Sequence, residues 1–300
     1  MTLKLPRYWT SIQATLPSPS KHTTVYAVRV WGWSMTSLAD AEIKAQARLV
    51  RARERAAQDP ARGSDPIRGD YDYDHMPQRE PTLDELHRPD GSVYAAITRN
   101  RHGVRVLNTE RVMFVDIDLP NNQMSGFKKL FQWMTRGGPL VQRGESSSAE
   151  AAAIARVRAA IEQRPGWGTR VYRTPAGLRL LVTHALFEPN DKEAHEFMRA
   201  VSADEFYVRL CRARASFRAR VSAKPHRIKV AAPPAIFPFD SADDEGAHAA
   251  WVRSYESTAR DFAACHAIKR LGSDYIDPEV ALIIDLHDRA ARAGSQAPLA

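Results

Sequence analysis

The ten residues from Arg111 to Pro120, RVMFVDIDLP, constrain the fold more than any other stretch of the chain. Val112, Met113, Phe114 and Val115 run unbroken to the first acid, and Ile117 and Leu119 continue the apolar character. Such a run reads as a buried strand. Strand alternation then places Met113, Val115 and Ile117 on one side and Phe114, Asp116 and Asp118 on the other. Two like charges sharing one face at a strand end repel each other, so something positive has to sit beside them. A divalent metal is one candidate, ion pairs with nearby arginines are another, and Asp118 capping the turn before Pro120 is a third.

Elements predicted on either side build a sheet around this strand. Residues 24–33, TVYAVRVWGW, read as a strand, and a helix follows from a Ser37 cap with Leu38, Ala41, Ala45, Leu49 and Ala52 at helical spacing. Residues 58–91 are rich in Pro, Gly, Asp and Arg without periodicity and read as a long surface excursion, including the acidic YDYDHMP at 71–77. From Ser92 the chain is extended again: SVYAAITR, a turn at Asn100–Gly103, VRVLN, and the aspartate strand. A short basic amphipathic helix is expected over SGFKKLFQWMTRGG, and a longer one over SSAEAAAIARVRAAIEQRPG with Ser147 or Ser148 near its start. Residues 169–184, TRVYRTPAGLRLLVTH, read as strand, turn, strand. The order from 24 to 184 is that of an α+β fold with the split βαβ core of ferredoxin-like and RRM-like proteins. Residues 1–190 are expected to form this core, with its insertion near 58–91. Residues 191–300 are expected to be a basic, mainly helical part packed on it, with helices at about 192–212, 245–263 and 278–293.

Charge narrows the partners. Lys plus Arg number 43 against 35 Asp plus Glu, a formal +8, and arginine dominates the cations. The planar guanidinium is the better phosphate ligand, so phosphates are the expected counterpart. Two distant cysteines, Cys211 and Cys265, offer neither a disulfide framework nor a thiolate zinc site. With no apolar run of membrane length and no signal-peptide core, the expected location is the cytoplasm, without a membrane partner.

Within TRVYRTPAGLRLLVTH, Pro175–Ala176–Gly177 makes a tight turn, and Gly177, Arg179, Leu181 and Thr183 share the face opposite to Leu178, Leu180, Val182 and His184. Arg173, Thr174 and Arg179 thus form a donor cluster suited to phosphate; a polar hairpin at a solvent edge is the alternative. Further on, RLCRARASFRARVSAKPHRIK at 209–229 carries eight cations and no acid. In its extended part Arg218 and Arg220 fall on one side, with Phe217, Ala219 and Val221 on the other. Arg214, Arg218, Arg220, Lys224 and Arg227 would track a nucleic-acid backbone, with Phe217 or His226 stacking on a base. An exposed basic helix followed by an edge strand is the plainer reading.

A hydrophobic strand ending in Asp116-Ile117-Asp118, then a helix, then a Gly-containing turn entering a strand resembles the catalytic core of the archaeo-eukaryotic primase superfamily, the primase-polymerases. The likeness covers roughly residues 90–190. It implies that Asp116 and Asp118 are catalytic and hold Mg²⁺ or Mn²⁺, joined by a third acid, for which Asp204 in SADEFYVRL is the candidate and Glu205 the next. It further implies nucleoside triphosphates as substrates, held by Arg173, Thr174 and Arg179, and single-stranded DNA or RNA as template. The sequence departs from the family where its turn leads to a histidine: Arg179 stands there, and His184 comes five residues later on the opposite face. The alternative function is a catalytically inactive nucleic-acid-binding protein of a replication or defence module.

Overall fold

The computed structural model describes residues 3, 5–17, 25–58, 77–119 and 143–300. The chain is α+β, with antiparallel strand pairing throughout its named sheets. It divides into two compact units, Met1–Gly103 with Ala232–Ser254, and Val104–Ala231 with Tyr255–Ala300. No helix among the described residues is long and apolar enough to cross a membrane.

In the first unit, β1 (Tyr8–Pro17) and β2 (Val25–Ser34) form a hairpin, with Trp9 opposite Trp33 and Leu16 opposite Tyr26. Helix α1 (Leu38–Gln58) starts where Ser37 Oγ accepts from the Asp40 amide at 3.1 Å. Its small residues bring it close to the hairpin: a Cβ on Gly32 would lie 2.0 Å from the Ala41 carbonyl oxygen. Leu16, Val28 and Ala56 make the buried core of this packing. Strands β3 (Thr82–His87) and β4 (Val93–Arg99) pair next to each other. The surface excursion expected over 58–91 contains one strand toward its end, TLDELH. The acidic residues 71–76 lie outside the described residues, as does the amphipathic helix expected at 125–138.

In the second unit, β5 (Arg105–Thr109) pairs with β9 (Phe217–Arg220). A four-stranded sheet is built from β6 (Phe114–Asp118), β7 (Gly168–Arg173), β8 (Gly177–Val182) and β10 (His266–Gly272), in the order β10-β7-β8-β6. Strand β8 runs antiparallel to both β6 and β7, so these two are parallel with one strand between them. Helix α2 (Arg143–Glu162) lies between β6 and β7 in sequence. It begins at Arg143, before Ser147 and Ser148. Strand β10 comes from the region expected to be mainly helical and completes this sheet. Its residues alternate only weakly between apolar and charged, and it lies at an edge, where burial demands little of the sequence.

The expected single helix over 192–212 is two: α3 (Lys192–Ala200) and α4 (Glu205–Arg214). Ser202 between them adopts a left-handed φ of 56°, and Asp204 caps α4. Helices α5 (Ala242–Ala259) and α6 (Pro278–Ala291) match the remaining expectation. On the face of the sheet that bears Asp116, Phe114 and Tyr172 pack on His287 of α6, with ring centroids 5.3 and 4.8 Å apart. That helix covers the apolar end of the face, and the aspartates lie toward its other end.

Candidate active site

The register of the sheet determines what meets what. Asp116 pairs with Arg179 and Asp118 with Gly177 across β6 and β8, and Arg179 in turn pairs with Tyr172 on β7. Partners in register share a face, so the guanidinium of Arg179 is brought directly beside the first carboxylate. Arg179 Nε donates to Asp116 Oδ1 at 2.9 Å and Nη2 to Oδ2 at 3.5 Å, while Nη1 donates to the Arg220 carbonyl at 2.7 Å. The Arg179 side chain is only 3% exposed. Burial lowers its pKa, and Asp116, with Cys265 and Tyr207 acting in the same direction, leaves it above the usual arginine value. Gly177 makes the close strand approach possible, because a Cβ there would lie 2.0 Å from the Ile117 carbonyl oxygen.

Asp204 joins the same strand end. Its backbone amide donates to the Asp116 carbonyl at 2.9 Å, and its carboxylate accepts from the amides of Phe206 at 3.1 Å and Tyr207 at 3.2 Å. The Tyr207 hydroxyl donates to the Phe114 carbonyl at 2.8 Å. The free edge of β6 is therefore closed by α4 and the residue that caps it, and Asp204 is anchored beside the aspartate strand. Tyr207 gave no sign of this role in the sequence, where it reads as one more apolar position of a helix. Burial raises its hydroxyl pKa well above the ordinary tyrosine value.

Asp118 is exposed. Its carboxyl pKa is raised, first by partial loss of hydration and then by the charges of Asp204 and Asp116, against the opposing pull of Lys224. On the cationic side, Lys224 is lowered by burial and by Arg220 and Arg227. Arg220 is pushed down to about 10 by burial, then by Arg179 and Arg227. Arg227 is lowered by burial, and His226, exposed among these cations, is lowered as well. Three carboxylates and four cations thus share one end of the sheet, and neighbouring cations weaken the hold of Arg220 and Lys224 on a proton.

The structure brings together Asp116, Asp118, Asp204, Arg179, Arg220, Lys224 and Arg227. Arg173 goes elsewhere. It pairs in register with Leu178, on the opposite face from Arg179, and Nε donates to Glu150 Oε2 of α2 at 2.6 Å. The Thr174 hydroxyl accepts from the Gly177 amide at 3.1 Å and shapes the turn. Arg214 lies in the last turn of α4 and Arg218 beside Arg220 on β9, both half-buried. Phe217 is fully buried, which rules it out as a stacking platform, and His226 is exposed. His184 packs on Trp167 at 4.5 Å, and its Nδ1 accepts from the Gly168 amide at 3.3 Å, so it belongs to the core. Among the described residues the ion-pair alternative for the two aspartates describes Asp116 and not Asp118.

Among the described residues no three histidine, cysteine, aspartate or glutamate side chains are arranged as a ready metal cage. The donors nevertheless suit a hard divalent ion in kind: carboxylate oxygens in mutual electrostatic contact, one of them exposed and raised in pKa by its neighbours. Comparison of the chain with family models, with curated proteins and with solved structures finds no match in any of the three.

Proposed function

We propose that the chain is a divergent primase-polymerase-type nucleotidyltransferase, with an RRM-like core that acts on nucleoside triphosphates and single-stranded nucleic acid. The observation that carries this reading is the meeting of Asp116, Asp118 and Asp204 with Arg220, Lys224 and Arg227 at one strand end. A strand order in which β8 separates β6 from β7 supports it, since a split βαβ core needs two parallel strands with another between them. Asp118 and Asp204 would hold Mg²⁺ or Mn²⁺, with Asp116 beside them fixed by Arg179. When bound, the ion would supply charge neutralisation on the triphosphate and acidify the attacking hydroxyl. Arg220, Lys224 and Arg227 bind phosphate oxygens, which relieves the repulsion by neighbouring cations that, after burial, lowers the pKa of Arg220 and Lys224. Lys224 also favours the ionised form of Asp118, the form a cation needs.

A second reading, a catalytically inactive nucleic-acid-binding protein, is favoured by one observation: both oxygens of Asp116 face the buried guanidinium of Arg179. Synthesis of dinucleotides, or extension of a labelled primer on single-stranded DNA, with Mn²⁺ and mixed nucleoside triphosphates separates the two. Product that disappears in Asp118→Asn supports the enzyme. No product, with strong and salt-sensitive DNA binding retained, supports the binding protein. Absence of both rejects the two together.

A further inference from the structure

The second edge of the four-stranded sheet carries a different surface. An open groove of about 730 Å³ runs between the C-terminal end of α2, the turn into β7 and the edge strand β10. Its charged lining consists of Arg158, Arg164, Lys269 and Arg270 against one acid, Glu162. Beside it, β10 has β7 as its one strand neighbour among the described residues. The outer side of β10 is occupied at its start, where the Ala267 amide donates to the Ala293 carbonyl at 3.0 Å and His266 Nε2 lies 2.8 Å from the Ala297 carbonyl. From Lys269 to Gly272 no further strand lies alongside among the described residues, and Lys269 and Arg270 are exposed.

We infer that this groove takes an extended acidic peptide, which adds a strand to β10 over Lys269–Gly272 and sets its carboxylates against Lys269 and Arg158 on the face toward α2. An open strand edge supplies main-chain pairing and the flanking cations supply selection by charge, the two components of recognition by strand addition. Single-stranded nucleic acid shares the negative charge but requires aromatic faces on which to stack. The aromatic side chain of the groove, Trp167, is 7% exposed and is held among His184, Phe187 and Phe197. It offers no face to a base, so the peptide is the better fit.

The test is fluorescence anisotropy of the full chain with a labelled octapeptide of alternating Glu and Val. Saturable binding is expected, weakened tenfold or more when Gln replaces Glu in the peptide and by the double variant Arg158→Glu, Lys269→Glu. Two N-methylated peptides make the reading specific: methylating alternate amides along one edge abolishes binding, and methylating those along the other leaves it. Equal binding of both methylated peptides, or no loss with the Gln peptide, overturns the inference. So does displacement of the peptide by an oligothymidylate whose own affinity falls equally in the double variant, since the groove would then be a nucleic-acid track.

Discussion

The two edges of the four-stranded sheet manage the same physical problem in opposite ways. A strand edge presents unpaired main-chain groups, and these invite pairing unless something covers them. At β6 the covering is local: the Asp204 amide and the Tyr207 hydroxyl take the carbonyls of Asp116 and Phe114. At β10 the first residues are covered by the 293–297 segment, and no further strand lies along Lys269–Gly272 among the described residues. The closed edge binds one of its aspartates, Asp116, to Arg179, and the open edge leaves Lys269 for a partner. Charge by itself does not mark a site, because Asp116 and Asp118 are two residues apart on one face and have different fates. Asp116 is part of the structure through Arg179, while Asp118 is left poised.

That contrast can be broken most directly at Asp116. Asp116→Ala leaves a buried guanidinium without its carboxylate, and losing one partner of a buried pair costs about 3 kcal/mol, the low end of the usual range because Asp116 itself is partly exposed. Urea unfolding should show that loss. Asp118→Ala, tested in the same way, should stay within about 0.5 kcal/mol of the parent. Equal costs at the two positions would remove the distinction between them.

Gly177→Ala sharpens the same edge. Its new methyl group meets the Ile117 carbonyl at 2.0 Å, and main chain cannot move aside as a side-chain tip can. A loss of about 2 kcal/mol in denaturant unfolding is expected. At the open edge, Arg158→Glu with Lys269→Glu should change stability by less than about 0.5 kcal/mol, since these groups serve a partner and not the fold.

The smallest expected effect is a shift in titration. Asp118 holds its proton more tightly in the folded chain than in the unfolded one, with partial dehydration the first cause and Asp204 the second. Ionising it therefore costs stability as pH rises from the ordinary carboxylate range through the raised value. Asp204→Asn removes one of the repelling charges yet keeps a good helix cap. The Asp118 carboxyl resonance should then titrate at lower pH than in the parent, followed by NMR.

Much of the closed edge was legible in the sequence. Alternation alone placed Asp116 and Asp118 on one face of β6 and Arg179 with Gly177 on one face of β8, and the observed register agrees with both. The pairing of Asp116 with Arg179 was not legible, because it depends on which residue of β8 lies opposite, and register follows from the whole sheet. Arg173 looked equivalent to Arg179 in the sequence but lies on the other face, beside Glu150. Strand β3, which is half-exposed, and strand β10 were hidden because the hydrophobic pattern that betrays a strand arises from burial. The break at Ser202 has neither Gly nor Pro to announce it.

The central claim is that Asp118, free of the pair that holds Asp116, receives a divalent ion beside cations that receive phosphate. Isothermal calorimetry of Mn²⁺ with a nucleoside triphosphate, titrated into the parent chain and into Asp118→Asn, tests it directly. The account predicts saturable heat from the parent and at least tenfold weaker binding to the variant, whose fold is unchanged. Binding of the same strength in both, or no binding to a folded parent, would contradict it.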